Sequence, residues 1–303
     1  DGTAARLGWV PVIGGGMVLI AFMTVTMLSE KHWKEEQRVI EWDAISYYAY
    51  LPATFIYHDL SLSFADNYLG PHKFIIWPER SPAGKYVIKT SMGLSLLWTP
   101  FFLAGHTVAH LSGTDTGGYS PPYKFFLLLS ALFFLTVGLI YLRKILLANT
   151  SDRVTALAIA AFVIGTNLFW YTLYQGTMSH VYSFALISAF IWYSIIWHEE
   201  LIPGSNPLQT SGQPRQEKKT MSVRRLWPAL RLGLLLGLIT LIRPTNILIV
   251  IFFLLYGISS AETLRARIKD LTANYRHMAV IAFAAILVWV PQLIYWKEMT
   301  GQW

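Results

Sequence analysis

The amino-acid sequence predicts an all-α, polytopic membrane protein. Hydrophobic residues make up 54% of the chain and charged residues only 14%, against about 25% charged in an average soluble domain. The apolar residues also fall into runs long enough to cross a bilayer, which takes about 20 residues. The 12 Trp and 16 Tyr match the aromatic belts found at lipid headgroups. A soluble globular domain is therefore excluded.

Five apolar runs indicate plain membrane spans, and two further runs are interrupted. The plain runs are residues 9–28, 123–142, 154–174, 181–197 and 278–296. Residues 94–111 are apolar but contain Pro100, Gly105 and two histidines, which disfavour a simple span. Residues 229–257 are broken by Arg243-Pro244.

The basic loops set the expected topology. Residues 143–153, 198–228 and 258–277 carry Lys and Arg, which the positive-inside rule places in the cytoplasm. The loop 198–228 is rich in Gly, Pro, Ser and Gln and is predicted to be flexible. Both flanks of residues 229–257 are then cytoplasmic, and each half spans only about 20 Å of the ~30 Å core. We expect a helical hairpin whose turn carries Arg243-Pro244, set into the outer half of the membrane.

The N-terminal topology stays open on these grounds alone. If residues 94–111 cross the membrane, residues 29–90 are cytoplasmic; if they lie along the outer surface or re-enter, residues 29–90 are extracytoplasmic. The chain has no Cys, which excludes disulfides, and its net charge of +7 sits largely in short loops. No nucleic-acid-binding module is visible. The chain begins with Asp1 and ends at Trp303, so we expect the N-terminal part of a longer protein.

The stretch from Glu41 to Tyr57, EWDAISYYAYLPATFIY, is the first chemical candidate. Asp43, Tyr47 and Tyr50 fall at helical spacing on one face. The pattern predicts an amphipathic helix in the membrane interface with an acid at its start.

A first span followed by a loop that opens with an acid before a Tyr-Tyr helix resembles the GT-C membrane glycosyltransferases. The nearest likeness is to the bacterial protein mannosyltransferase and aminoarabinose transferase branch. Three further stretches fit the resemblance: KTSMGLSLLWTPFF from Lys89, GTNLFWY and MSHVY within residues 165–182, and GLITLIRPTN from Gly237. The resemblance covers most of the chain.

The resemblance implies one transmembrane domain over residues 1–303, with residues 29–122 extracytoplasmic and carrying surface helices. It implies a bacterial inner-membrane protein with a cytoplasmic N-terminus and a periplasmic active site. The implied donor is a polyprenyl-phosphate-linked sugar and the implied acceptor a glycan, lipid or protein, and the resemblance implies no need for a cofactor or metal. Asp43 is the implied general base. The implied donor-phosphate ligands are Lys89, Arg243 and Lys85, and the implied cavity residues are Tyr47, Tyr48, His180 and Asn246.

Simpler interpretations stand beside these assignments. Asp43 could cap a helix, Lys89 could anchor at the interface, and Arg243 could mark a helix end. His180 could be structural, and His106 with His110 form an i, i+4 pair with no carboxylate nearby in sequence. Two other functions stay open. One is a transporter or flippase of an anionic or lipid-linked substrate; the other is a non-catalytic GT-C-like subunit of an envelope complex.

Overall fold

The computed structural model describes residues 10–66, 79–201 and 226–302, and the described chain is mostly helical. The greater part of the predicted flexible loop 198–228 lies outside these residues. The helices are α1 Val10–Glu30, α2 Asp43–Tyr48, α3 Tyr50–Phe55, α4 Gly93–Ser112, α5 Pro121–Leu147, α6 Asp152–Gly165, α7 Asn167–Leu173, α8 Ser179–Leu201, α9 Trp227–Ile242, α10 Ile249–Leu255, α11 Ala261–Ala273 and α12 Tyr275–Thr300. Short 3₁₀ turns lie at His32–Lys34, Ser63–Asp66 and Pro244–Leu248. The strands β1 Glu79–Arg80 and β2 Tyr86–Val87 pair antiparallel.

Three helices in the described part of the chain, α5, α8 and α12, are long and apolar enough to cross a membrane. Each contains one of the predicted runs. Pro121 and Pro122 occupy the first positions of α5, where the missing amide hydrogens cost nothing because no intrahelical acceptor exists there. The helical fold class and the presence of membrane-spanning candidates are thus confirmed.

The predicted span 154–174 is not one straight helix. Helices α6 and α7 meet at an angle of 65°, with Thr166 extended between them. The Thr166 hydroxyl donates to the Phe162 carbonyl at 2.7 Å and accepts from the Leu168 amide at 3.2 Å. The one side chain thus closes the end of α6 and caps the start of α7, so the bend is built into the sequence at a single threonine.

The predicted amphipathic surface helix is also different from expectation. It divides at Ala49 into α2 and α3, because Pro52 has no amide hydrogen to donate to the carbonyl four residues earlier. Its tyrosines are buried rather than facing an interface: Tyr47 is 7% exposed, Tyr48 0% and Tyr50 4%. The two short helices are part of a folded core.

The described residues form two units, one ending at Ala185 and resuming at Pro291, the other running from Leu186 to Val290. In the first unit α4 packs closely on α5. A Cβ added to Gly105 would lie 2.9 Å from the Cα of Tyr123, so only glycine allows this approach. Helix α4, which contains Pro100, is not among the helices that meet the length and hydropathy of a span.

The polar segment before α4 packs on the last turns of α12, within the first unit. The Tyr295 hydroxyl accepts from the Ile88 amide at 2.8 Å, and Ser81 donates to the Met299 carbonyl at 2.7 Å. Ile88 and Tyr295 also share an apolar cluster with Tyr50. A stretch that is polar in sequence therefore has a core of its own.

The second unit contains the break predicted at Arg243-Pro244. Helix α9 ends at Ile242, Arg243 is extended, and a 3₁₀ turn leads into α10. A Cβ on Gly233 would lie 2.5 Å from the Ile281 carbonyl oxygen, and Trp289 donates to Thr240 at 2.9 Å, so α9 runs alongside α12.

Helix α10 then returns along the second unit. Phe253 packs on Trp197 with ring centroids 5.1 Å apart, and Trp197 donates to His277 at 3.1 Å. Because His277 lies near the start of α12 and Trp289 near its middle, the chain has reversed between α9 and α10. The predicted reversal at Arg243-Pro244 is present, and its place in the outer half of the membrane stays a prediction.

Candidate active site

Asp43 is the first residue of α2, and its side chain is exposed. The residue at the capping position is Trp42, and no side chain makes the capping bond. Among the described residues no hydrogen bond or ion pair to the Asp43 carboxylate is present. The structure therefore does not support the helix-cap interpretation, and it leaves a carboxylate able to accept a proton from a bound molecule.

The backbone before Asp43 is held in an unusual conformation. Lys31, Val39 and Trp42 have φ of 53°, 78° and 54°, a region that side-chain-bearing residues seldom adopt and that costs about 1–3 kcal/mol for each residue. The surroundings hold this conformation: the Val39 side chain is buried, and Thr177 donates to its carbonyl oxygen. Strained backbone that tertiary contacts enforce is frequent at functional sites.

Lys124 provides a second restraint on the same segment. Its buried ammonium, at the start of α5, donates to the carbonyl oxygens of Glu35 and Glu36 at 2.8 and 2.6 Å. The loop before Asp43 is thus fixed to α5 by Lys124 and to the start of α8 by Thr177. Sequence reasoning missed Lys124; a lysine one turn into an otherwise apolar helix was the available signal.

A second carboxylate, Glu41, lies two residues before Asp43. Partial burial raises the pKa of Glu41 above its usual value, although Arg38 and His32 oppose the shift. Glu35 behaves in the opposite way: its hydrogen bond with His32, at 2.8 Å, lowers the pKa of the Glu35 carboxyl. The loop therefore contains one carboxyl group with a raised pKa, Glu41, and one with a lowered pKa, Glu35.

Tyr47 and Tyr48, predicted to line a substrate cavity, are instead buried contacts of α2 with its neighbours. The Tyr47 carbonyl accepts from the Ser95 hydroxyl, and the Tyr48 hydroxyl donates to the Gly118 carbonyl. Burial raises the pKa of the Tyr48 phenol well above its usual range, so it stays a neutral donor. Both residues hold α2, which begins at Asp43, against its neighbours.

Lys85 and Lys89, which are predicted donor-phosphate ligands, are exposed. Lys89 forms an ion pair with Glu79 at 2.9 Å, in which the side chains are 74% and 59% exposed. Lys85 donates to the Glu298 carbonyl at 3.3 Å. An exposed pair of this kind contributes about 0–1 kcal/mol, so a phosphate could replace the Glu79 carboxylate at little cost.

The segments that carry Asp43 and Lys89 are joined directly. Tyr50, the first residue of α3, donates to the Thr90 carbonyl at 2.7 Å. Gln292 of α12 is fully buried, accepts from the Met92 amide at 2.7 Å and donates to the Tyr50 hydroxyl at 3.1 Å. A buried network of this kind fixes both segments to one framework. No sequence pattern pointed to Gln292.

An apolar groove of about 530 Å³ runs along α4 and α5 in the same unit. It begins at Leu96, seven residues after Lys89, and continues along α4 to Ala104. The remaining wall is aromatic and aliphatic, from Leu97, Pro100, Phe101, Phe126, Leu129, Phe133 and Phe134. Such a wall suits a hydrocarbon chain and offers no polar group to orient a water-soluble ligand.

Arg243 and Asn246 lie at the break in the second unit. Arg243 is half-buried at the end of α9, and among the described residues no hydrogen bond or ion pair from its guanidinium is present. Asn246 donates to the Ile239 carbonyl at 3.2 Å, so its amide helps close α9. An arginine in an apolar setting usually meets an anion or a water-filled cavity.

The two candidate histidines His180 and His106 both make contacts with tyrosines. His180 stacks on Tyr171 with ring centroids 3.7 Å apart, which favours its structural interpretation, and His106 shares a hydrogen bond with Tyr123. Within residues 10–66, 79–201 and 226–302, no group of three His, Cys, Asp or Glu side chains could hold a metal ion.

Comparison with known proteins gives no further constraint. No protein-family model, no curated protein and no solved structure matches the chain.

Proposed function

We propose that this chain is a membrane glycosyltransferase of the GT-C type, which moves a sugar from a polyprenyl-phosphate-linked donor to an acceptor. In this reaction the acceptor hydroxyl attacks the anomeric carbon, and the bond from that carbon to the phosphate oxygen breaks. The lipid phosphate leaves with the electron pair, and Asp43 takes the hydroxyl proton. General-base catalysis of this kind contributes about 10²–10⁴-fold.

The observation that carries the proposal is the Asp43 carboxylate. It is exposed, makes no bond within the described residues, and follows a backbone segment held in strained conformations. A structural acid would be expected to cap a helix or pair with a cation. The pattern here suits a group kept available for a reacting molecule.

Lys89, Lys85 and the groove along α4 suit the donor. The donor's phosphate carries charge that grows as the sugar departs, which cations stabilise. Lys89 and Lys85 are exposed, and the groove that begins at Leu96 would take the first isoprenoid units. Arg243 is proposed as a further phosphate ligand.

The contacts of the first unit support an extracytoplasmic site. The loop before Asp43 contacts Lys124 at the start of α5 and Thr177 just before α8. The basic residues of the segment 143–153 lie at the other end of α5 and at the start of α6, and basic segments that flank a span belong to the cytoplasm. These contacts support our proposal that Asp43 lies at the periplasmic face of a bacterial inner membrane, in a polytopic bundle.

The experiment is a transfer assay in proteoliposomes with radiolabelled polyprenyl-phosphate-linked sugars, tested one at a time on acceptor from solubilised membranes. Asp43→Asn should lower transfer at least about 100-fold without changing donor affinity, because the amide keeps the shape but cannot take a proton. Glu36→Gln, which neutralises an exposed acid of the same loop, is the matched control. Full transfer by Asp43→Asn would exclude Asp43 as the base.

A transporter of an anionic substrate is the second candidate, and the break at Arg243 favours it. Helices broken near the membrane midplane often bind anions in transporters. In that case Arg243→Gln abolishes uptake of the anionic lipid-linked substrate, and Asp43→Asn leaves it intact. A non-catalytic subunit would bind the donor and transfer nothing in either variant or in the wild type.

A further inference from the structure

A second groove, separate from the candidate active site, lies among α1, α5 and α6. Its volume is about 560 Å³, within the roughly 300–1,000 Å³ of small-molecule sites. Thr136 and Arg143 are the polar residues on its wall, and the Thr136 hydroxyl is already bonded to the Leu132 carbonyl. The wall is therefore apolar except at Arg143. Its apolar lining includes Gly16, Ile20, Leu139, Ile140 and Ile159.

The groove opens sideways, on the lateral surface of the helices. Met17 and Ile140, which line it, are 64% and 49% exposed, and α5 is one of the helices long and apolar enough to span a membrane. A Cβ added to Gly16 would meet no other atom within 4 Å. A lateral apolar opening of this kind faces hydrocarbon, so its natural occupant is an acyl chain.

Arg143 places a positive charge at one end of the groove. It is the lining residue nearest the carboxyl end of α5. Lys144 follows it in α5, and Arg153 lies in the first turn of α6. The Arg143 guanidinium is partly buried at the groove, with Nε and Nη2 shielded from solvent. There its fork of donors matches a phosphate diester better than any neutral group.

We propose that this groove binds an anionic phospholipid of the cytoplasmic leaflet, with one acyl chain along α1 and α5 and its phosphate at Arg143. The site requires only that α5 spans the membrane, so it does not depend on the glycosyltransferase proposal. It differs from the groove along α4 in its helices, in its cation and in the predicted side of the membrane.

The test is lipid retention by the delipidated full chain, measured by native mass spectrometry after addition of phosphatidylglycerol or phosphatidylcholine. The wild type should retain one phosphatidylglycerol per chain in preference to phosphatidylcholine. Gly16→Leu should reduce retention of both lipids about tenfold, the effect of excluding roughly two buried methylenes. Arg143→Gln should keep the binding but remove the preference for phosphatidylglycerol.

Two matched controls separate the groove from general effects. Gly15→Leu places the same side chain one residue away, at an exposed glycine that does not line the groove. Lys144→Gln removes a neighbouring positive charge from a residue outside the lining. Neither should change lipid retention or selectivity.

Three outcomes would overturn the proposal. Equal retention by Gly16→Leu and Gly15→Leu would mean that lipid binds elsewhere. Retention that arises only after residues 1–9 are deleted would identify the chain's own N-terminal segment as the occupant. A dimer of the wild type that Gly16→Leu dissociates would identify a second copy of the chain.

Discussion

Replacing Tyr295 with Phe tests whether the polar segment before α4 is truly folded onto α12. The substitution removes one hydroxyl and almost no volume, so no cavity term enters. In the structure that hydroxyl accepts from the Ile88 amide at 2.8 Å, and Ile88 and Tyr295 are 2% and 3% exposed. The Ile88 N–H would then lose its acceptor in a place that water does not reach.

The expected cost follows from that burial. An unsatisfied buried donor costs about 1–3 kcal/mol, whereas an ordinary hydrogen bond contributes only about 0.5–1.5 kcal/mol net. Because both groups are almost fully buried, we expect Tyr295→Phe to lower the free energy of unfolding by about 2 kcal/mol. The control is Tyr275→Phe on the same helix, where the side chain is 62% exposed and the change should stay within about 0.5 kcal/mol.

The assay is reversible unfolding in mixed micelles as the denaturing detergent is titrated, together with hydrogen exchange of the Ile88 amide. Tyr295→Phe should lower the free energy of unfolding and speed exchange at Ile88, and Tyr275→Phe should do neither. If the two variants unfold alike and the Ile88 amide exchanges at the wild-type rate, then residues 79–92 do not pack on α12. The proposed framework that fixes Lys89 would then be wrong.

Three further predictions concern other contacts. Partial burial raises the pKa of Asp59, but hydrogen bonds from two nearby serines outweigh it and lower this pKa to about 2. The Asp59 carboxylate therefore stabilises its turn above about pH 4 and stops doing so as the pH falls to about 2. An NMR titration of the carboxyl, assigned with Asp59→Asn, would contradict this if its midpoint were near 4. Gly233→Ala places a Cβ 2.5 Å from a carbonyl oxygen of α12 and should destabilise the protein by about 1–3 kcal/mol. The control Gly15→Ala, whose Cβ meets no atom within 4 Å, should leave the stability unchanged. Equal unfolding midpoints for the two variants would refute the close approach of α9 to α12. Lys124→Met leaves the Glu35 carbonyl without this donor and should cost about 1–3 kcal/mol while lowering sugar transfer; unchanged transfer would show that the loop does not depend on this anchor.

Hydropathy and helix breakers predicted the helical framework because they act locally. Three of the five plain apolar runs became α5, α8 and α12, and Arg243-Pro244 ended α9 where expected. The bend at Thr166 was not predictable from hydropathy, since the residues on both sides are apolar and one hydroxyl makes the break. Local periodicity also failed at the tyrosines of α2 and α3.

Those tyrosines show why the site was harder to predict than the framework. A tyrosine is compatible with an interface or with a core, and contacts far away in the chain decide between them. Tyr48 bonds to Gly118, 70 residues away, and Gln292 bonds to Tyr50 across 242 residues. The position of Asp43 in sequence was informative, but the absence of a capping bond at its carboxylate could be seen only in three dimensions.

Asp43 and Arg243 belong to separately described units, and this makes the rival functions separable by experiment. Neutralising Asp43 removes a proton acceptor and leaves the hairpin at Arg243 intact, whereas neutralising Arg243 removes a cation and leaves the strained loop before Asp43 intact. A glycosyltransferase needs the proton acceptor, because the acceptor hydroxyl loses its proton as the sugar is transferred. A transporter needs only the cation, since no bond to the substrate breaks. Loss of transfer in Asp43→Asn with unchanged donor affinity is therefore the result that identifies an enzyme.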